Sequence, residues 1–153
     1  MVRFKNRYLL AEVAWNGGTI DASYNEQMLL QALRENLSQN FGDYGLGTNL
    51  AGLLVKYFNP YTGLAIVRCG TSEVQRVVTA LAFTTKIKQR SACVRVLRVT
   101  GALSACKDAA MRLSETRLAL NALPQEGPVR AQLTKQQLAV AEQLHNQLLA
   151  VEL

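Results

Sequence analysis

The residues of this sequence best suited to bind a ligand are basic side chains. Their spacing suits contact with phosphates. Arg3, Lys5 and Arg7 recur at every second position before any acidic residue appears. In an extended strand, that spacing turns all three side chains to the same side. Lys and Arg in such a row neutralise the phosphates of a nucleic acid and release its counterions. We therefore predict a phosphate-binding strand at the start of the chain.

A second run of cations, free of acidic residues, lies further along the chain. Its members are Arg76, Lys86, Lys88, Arg90, Arg95, Arg98 and Lys107. The 153 residues include 17 Lys and Arg against 11 Asp and Glu, a net charge of +6, and the C-terminal third is close to neutral. This distribution is typical of a domain that binds a polyanion. The alternative is a solvated basic face that has no partner.

Residues suited to catalysis or metal binding form no recognisable set in the sequence. Cys69, Cys93 and Cys106 are far apart, and His145 is the single histidine. They supply neither a Cys-x-x-Cys pair nor four zinc ligands, so we expect free, buried thiols in a reducing compartment. The acidic residues are scattered and no nucleophile motif is present. We expect no active site and no cofactor in this chain; an intrinsic nuclease, with carboxylates that converge only on folding, is an alternative.

Aromatic residues do not follow the pattern of RRM domains, which stack bases on their central strands. The strand predicted over 64–69 contains no aromatic residue. Tyr8, Tyr57, Phe58 and Tyr61 lie in the first strand and around a hairpin, where we expect core or turn roles. A surface that recognises RNA by its shape and phosphates is the remaining possibility for RNA binding.

The composition predicts one folded domain. Apolar residues make up 49% of the chain and charged residues 18%. No apolar stretch approaches the roughly 20 residues that a membrane span needs. The charged opening of the sequence is unlike a secretory leader, so we expect an intracellular protein without membrane partners.

The periodicity of apolar residues predicts six elements and then two more. Strands are expected over 5–13, 53–58, 64–69 and 93–99, and a helix capped by Ser23 and Glu26 is expected to end at Gly42. A glycine-containing loop should follow over 42–52, a second helix should begin near Thr71, and 84–91 should be a basic connection. The order βαββαβ predicts an α+β, ferredoxin-like antiparallel sheet over 1–101. A helical extension over 102–153 should pack on the same domain, because the strands are apolar on both faces and the second face needs these helices or another protein to cover it.

Three blocks of the sequence resemble a known family. They are Met1-Val-Arg-Phe-Lys-Asn-Arg-Tyr-Leu-Leu, Val55-Lys-Tyr-Phe-Asn-Pro-Tyr-Thr-Gly-Leu-Ala-Ile-Val-Arg-Cys and Arg98-Val-Thr-Gly-Ala-Leu-Ser-Ala-Cys-Lys. In order and spacing they are similar to the Pop-five-type small protein subunit shared by ribonuclease P and ribonuclease MRP. The resemblance covers roughly residues 1–110.

The resemblance implies a non-catalytic subunit of a ribonucleoprotein. In that family the RNA performs magnesium-dependent cleavage, which removes the 5′ leader from precursor tRNA, and the MRP enzyme acts in rRNA processing. The implied partners are structured RNA, a related small subunit or a second copy, and a larger TIM-barrel-like subunit. The implied location is the nucleus and nucleolus.

The predicted RNA-binding residues come from the matching blocks and from the basic connection. They are Arg3, Lys5, Arg7, Tyr8, Lys56, Tyr57, Asn59, Tyr61, Arg68, Lys86, Lys88 and Arg90. The competing hypothesis is a protein-interaction module in a multi-subunit assembly that makes no direct contact with RNA. In that case the charge serves only solubility.

Overall fold

A computed structural model describes residues 5–122 and 135–151 of the chain. Its elements are β1 (Asn6–Trp15), α1 (Glu26–Leu50), β2 (Leu54–Asn59), β3 (Leu64–Gly70), α2 (Val74–Ala82), β4 (Lys86–Ile87), β5 (Arg90–Thr100), α3 (Leu103–Ala122) and α4 (Lys135–Leu149). A 3-10 turn, Thr71–Glu73, leads into α2. Within these ranges, no helix combines the length and the hydropathy that a membrane span requires.

The strands form one antiparallel sheet in the order β2-β3-β1-β5-β4. β1 lies at the centre, where its residues pair with β3 on one side and with β5 on the other. Without the short edge strand β4, the strands and helices follow the predicted βαββαβ order. The α+β, ferredoxin-like fold class with additional C-terminal helices is confirmed.

One face of the sheet is covered by α1 and α2. Alternate residues of β1 (Leu9, Ala11 and Val13) point to this face, as period-two alternation requires. They pack against Leu33 of α1 and Leu81 of α2, which are fully buried. This layer is the larger of the two hydrophobic clusters in the described part of the chain.

The second face of the sheet is covered by α3 and α4. Its buried side chains are Tyr8, Leu10, Tyr57, Leu64 and Ile66 from the strands, with Leu103, Cys106, Ala110 and Leu148 from the two helices. A sheet that is apolar on both faces must be covered on both to remove that surface from water. Here the chain's own helices, rather than another protein, provide this cover.

Two predictions about α1 are wrong. Asn25, not Ser23, caps the helix: its Oδ1 accepts a hydrogen bond from the Met28 amide at 3.1 Å, while the Ser23 hydroxyl donates to Asp21 at 2.7 Å. Gly42 adopts a φ of 66° and interrupts the helix, but the chain resumes a helical course and continues to Leu50 instead of forming a loop.

Tertiary contacts explain why the helix resumes beyond Gly42. The Asn49 side-chain amide and the Thr48 hydroxyl donate to the Glu73 carboxylate at 3.1 and 3.2 Å, next to the start of α2. These bonds tie the second part of α1 to another element. A local sequence pattern cannot reveal them, because Glu73 lies 24 residues beyond Asn49.

The predicted basic connection over 84–91 contains a short hairpin. Lys86 and Ile87 pair with Ser91 and Arg90, and Lys88 in the turn has a φ of 54°. Ile87 is fully buried among residues of the α1 and α2 layer, which anchors this hairpin to the core. The predicted connection therefore contains an edge strand. Pairing with β5 places the apolar Ile87 side chain in the core, where its burial is favourable.

The three cysteines are free thiols, and two of them are buried as predicted. Burial raises the pKa of both Cys69 and Cys106 to about 11. The expected burial is wrong for Cys93, which is exposed on β5.

Candidate nucleic-acid interface

An open cavity of about 1050 Å³ lies where the start of β1, the start of α3 and the end of α4 meet. Among the described residues, three basic side chains line it: Lys5, Arg7 and Lys107. Asp108 is the one acidic residue in that described lining, and Tyr8 contributes to the wall from β1. The apolar part of the wall includes Leu103, Met111, Leu149 and Val151.

Contacts around the start of β1 place Lys5 and Arg7 at this cavity. The carbonyl of Lys5 accepts hydrogen bonds from the Thr71 amide at 3.0 Å and from the Thr71 hydroxyl at 2.8 Å. The Arg7 guanidinium passes so close to Gly101 that a Cβ at position 101 would lie 3.3 Å from its Nη1. A glycine at this position therefore leaves room for Arg7 beside the start of α3.

Lys107 is a cavity residue that the sequence-based prediction of RNA contacts omitted. Its Nζ donates to the carbonyls of Leu149 and Val151 at 2.9 and 2.8 Å, so it ties α3 to the C-terminal end of α4. A cation there is favoured by the partial negative charge of a helix C-terminus. Helical periodicity was the available signal: Ser104, Lys107, Asp108 and Met111 share the spacing of one helix face and all line the cavity.

Within the residues that the structure describes, no ion pair neutralises the positive charge of the cavity. In the described part of the chain the ion pairs are Arg76 with Glu73, and Arg95 and Arg117 with Glu12. Lys5, Arg7 and Lys107 take no part in them. Their combined field, opposed at the cavity by Asp108, favours an anionic ligand.

Four predicted contact residues are buried instead. Tyr8 is 4% exposed, Tyr57 3%, Asn59 0% and Tyr61 8%. In this structure their side chains have almost no surface with which to reach RNA. The tyrosines occupy the core and turn positions expected for the aromatic residues.

Asn59 has a specific structural role in the hairpin between β2 and β3. Its Oδ1 accepts hydrogen bonds from the amides of Tyr61 and Thr62 at 3.0 and 3.4 Å, and its Nδ2 donates to the carbonyl of Ala141 in α4 at 3.3 Å. Gly63 completes the turn with a φ of 69°. Folding requirements of the turn therefore explain Asn59 and Gly63 in the hairpin block of the sequence.

Lys56 and Arg68 lie on β2 and β3 and are both half-buried. Arg68 is the register partner of Tyr8, and its Nε donates to the carbonyl of Gly52 at 3.3 Å. Arg68 is thus close to the cavity end of β1 without lining the cavity.

The remaining predicted cations lie at the opposite end of the sheet. Lys86 and Lys88 are exposed in the β4–β5 hairpin, and the Arg90 guanidinium stacks 5.0 Å from the centroid of the Trp15 ring. Since Tyr8 pairs with Thr100 and Trp15 with Ala92, the two ends are roughly 23 Å apart at the usual rise per strand residue. The structure therefore brings together Lys5, Arg7 and Tyr8, and separates them from Lys86, Lys88 and Arg90. Arg3 lies outside the described residues.

No group of three or more His, Cys, Asp or Glu side chains is arranged to hold a metal ion within residues 5–122 and 135–151. His145 is hydrogen-bonded through Nδ1 to the buried Ser114 hydroxyl at 2.8 Å, between α4 and α3. This histidine therefore joins two helices.

Comparison with known proteins assigns the chain to a family. The model described as "Rpp14/Pop5 family" matches residues 7–111. The chain is 32% identical to the probable ribonuclease P/MRP protein subunit POP5 of Arabidopsis thaliana (76% of this chain, 82% of the relative) and 32% identical to subunit POP5 of Schizosaccharomyces pombe (77% and 91%). It is also similar to a chain of yeast ribonuclease MRP, with 11% identity, a TM-score of 0.48 and coverage of 80% of this chain and 99% of that one. The match to the family model and the coverage of these relatives show that this chain belongs to the Rpp14/Pop5 family.

Proposed function

We propose that this chain is a non-catalytic subunit of a ribonuclease P or ribonuclease MRP ribonucleoprotein and that it binds the RNA of that complex. The observation that carries the proposal is the meeting of Lys5, Arg7 and Lys107 at one cavity, without ion-pair partners in the described part of the chain. Phosphate contacts supply most of the affinity of such binding and need no catalytic group in the protein. The names of the relatives support the choice of complex.

The chemical step in this proposal belongs to the RNA. Magnesium bound to that RNA would support cleavage of the precursor tRNA leader, or of rRNA in the MRP enzyme. The proposed protein partners are a related small subunit or a second copy of this chain, and a larger TIM-barrel-like subunit. The proposed location is the nucleus and nucleolus.

The test measures the salt dependence of RNA binding by the purified full chain. The probe is the catalytic RNA of ribonuclease P from the same organism, and the variants are Arg7→Ala and Lys5→Ala/Arg7→Ala. Each lost phosphate contact should reduce the slope of log K against log salt concentration by about one unit. Arg34→Ala is the matched control, because Arg34 is also a half-buried arginine but lies on α1, across the sheet from the cavity. An unchanged slope for both cavity variants would contradict RNA binding through the cavity.

A protein-interaction module without RNA contact is the second candidate function. It is supported by large apolar side chains that are exposed on the described surface, among them Tyr44, Leu50, Phe83 and Leu149. It predicts that partners recovered with the tagged full chain from cells resist both nuclease treatment and high salt. Loss of those partners after nuclease treatment would instead favour the RNA-binding function.

A further inference from the structure

A second basic depression lies beside the cavity, on the other side of α3. It is a groove of about 510 Å³ between β5 and α3, lined by Arg98 and Arg112 together with Asp108. Leu97 and Leu113 form part of its apolar wall. Neither arginine is among the RNA contacts predicted from the sequence.

The two arginines of the groove differ from their neighbours on the same elements. Arg95 on β5 and Arg117 on α3 both bind Glu12, at 2.5 Å each, and Arg90 donates to Thr19. The side chains of Arg98 and Arg112 form no ion pair and no hydrogen bond within residues 5–122 and 135–151. Both side chains are exposed. Two like charges at one groove repel each other, and a bound anion removes that cost.

The backbone of β5 directs the Arg98 side chain toward α3. Leu10 of β1 pairs with Arg98, whereas the next residue, Ala11, pairs with Val96, so Leu97 is the extra residue of a β-bulge. Bulges change the direction of side chains and are frequent at binding sites. Because Leu10 points to the face covered by α3 and α4, its partner Arg98 points to that face as well.

The first turns of α3 form a ridge between the cavity and the groove. Ser104, Lys107 and Met111 line the cavity, Ala105 and Arg112 line the groove, and Asp108 borders both. Ala102, just before the helix, offers no side-chain oxygen to cap the first amides of α3. The ridge therefore presents the positive end of a helix with basic side chains on either side.

We propose that the groove is a second phosphate-binding site, in which Arg98 and Arg112 hold the sugar–phosphate backbone of the same RNA that occupies the cavity. This inference rests on the proposed function. The RNA backbone fits because it carries a negative charge at every nucleotide, and the five cations on the two sides of the ridge are opposed there by Asp108 alone among the described lining residues. An acidic peptide is the competing ligand.

The experiment compares the full chain with Arg98→Gln/Arg112→Gln, in the same salt titration with ribonuclease P RNA. Glutamine keeps an aliphatic stem over the apolar wall, so the variant is expected to keep the fold. Its slope of log K against log salt should fall by about two units, one for each lost phosphate contact, and Arg98→Lys/Arg112→Lys should restore it. Arg34→Gln serves as the control.

The outcomes separate this inference from the proposed function. Reduced slopes for both the groove variant and Lys5→Ala/Arg7→Ala support the inference. A reduced slope for the groove variant alone contradicts binding of one RNA by groove and cavity together, and so overturns the inference as stated. A reduced slope for Lys5→Ala/Arg7→Ala with an unchanged slope for the groove variant overturns the inference and leaves the proposed function intact. Unchanged slopes for both overturn both. If the groove variant binds RNA normally but loses binding to a poly-glutamate peptide, the ligand is an acidic peptide and the inference is wrong.

Discussion

Glu12 is the residue on which the contacts between β1, β5 and α3 converge. Its two carboxylate oxygens accept from Arg95 on β5 and from Arg117 on α3, each at 2.5 Å. Arg117 also donates to the carbonyl of Thr62 in the hairpin at 2.5 Å. The Arg95 side chain is 70% exposed, so its ion pair stabilises the fold less than that of Arg117, which is 24% exposed.

At the residue scale we predict that Glu12→Gln lowers the free energy of unfolding at pH 7 by about 1.5–3 kcal/mol, the usual range for a hydrogen bond to a charged group. Chemical denaturation of the full chain measures this change. Glu115→Gln is the matched control, because Glu115 is an exposed carboxylate on α3 outside the observed ion pairs. An equal loss in both variants would contradict the role given to Glu12.

We also predict that the stability lost in Glu12→Gln depends on pH. Burial opposes ionisation of Glu12, but the hydrogen bond from Arg95 and the charge of Arg117 outweigh it and hold the pKa of this carboxyl below its usual value of 4.5. A lowered folded pKa gives stability that is present above 4.5 and is lost as the pH falls through the folded value. The difference in unfolding free energy between the full chain and Glu12→Gln should therefore shrink on acidification. A difference that stays constant down to pH 2 would show that ionisation of Glu12 is not its cause.

At the scale of elements, α4 packs beside α3 and completes the cover over the second face of the sheet. Leu148 is fully buried against the strands, whereas the neighbouring Leu149 is 56% exposed. The backbone carbonyl of Leu149 holds Lys107, so the end of α4 also forms part of the cavity.

We predict that Leu148→Ala lowers the free energy of unfolding by about 2–5 kcal/mol, because it creates a cavity in the hydrophobic cluster on the second face of the sheet. Leu149→Ala, which removes the same atoms from an exposed position, should change stability by less than about 0.5 kcal/mol. Denaturation midpoints of the two variants measure the difference. Similar values for both would mean that α4 does not pack on the sheet in solution.

At the scale of the whole molecule, the cations form separate groups. Lys5 and Arg7 lie at one end of β1, while Lys86 and Lys88 lie beyond the other end, in the β4–β5 hairpin. A molecule that binds RNA through both groups must contact segments that are more than about 20 Å apart, given the rise per residue of a strand.

We predict that Lys5→Ala/Arg7→Ala and Lys86→Ala/Lys88→Ala remove protection from different segments of ribonuclease P RNA. Hydroxyl-radical footprinting of the RNA, with saturating amounts of each full-length variant, measures this. Loss of the same protected nucleotides in both variants would contradict contact at two ends of the sheet.

The order of strands and helices, apart from the short edge strand β4, was determined by the sequence alone. Period-two and helical apolar patterns at Leu9, Leu33 and Leu81 specify elements that must bury those side chains, and burial of apolar surface dominates the folding free energy. The apolar character of both sheet faces likewise required a cover, which the periodic residues of the C-terminal third could supply. The opening cations Lys5 and Arg7 were recognised because their spacing within a strand is a local property.

Only the tertiary structure decided which cations share a surface. Lys107 and Arg112 come from α3, Arg98 from β5 and Arg7 from β1, and their proximity follows from how these elements pack. It also decided that Tyr57 and Asn59 are interior residues, and that α1 resumes after Gly42 because Asn49 binds Glu73. Local patterns fix the faces of an element, whereas contacts between distant residues depend on packing, which a single sequence does not display.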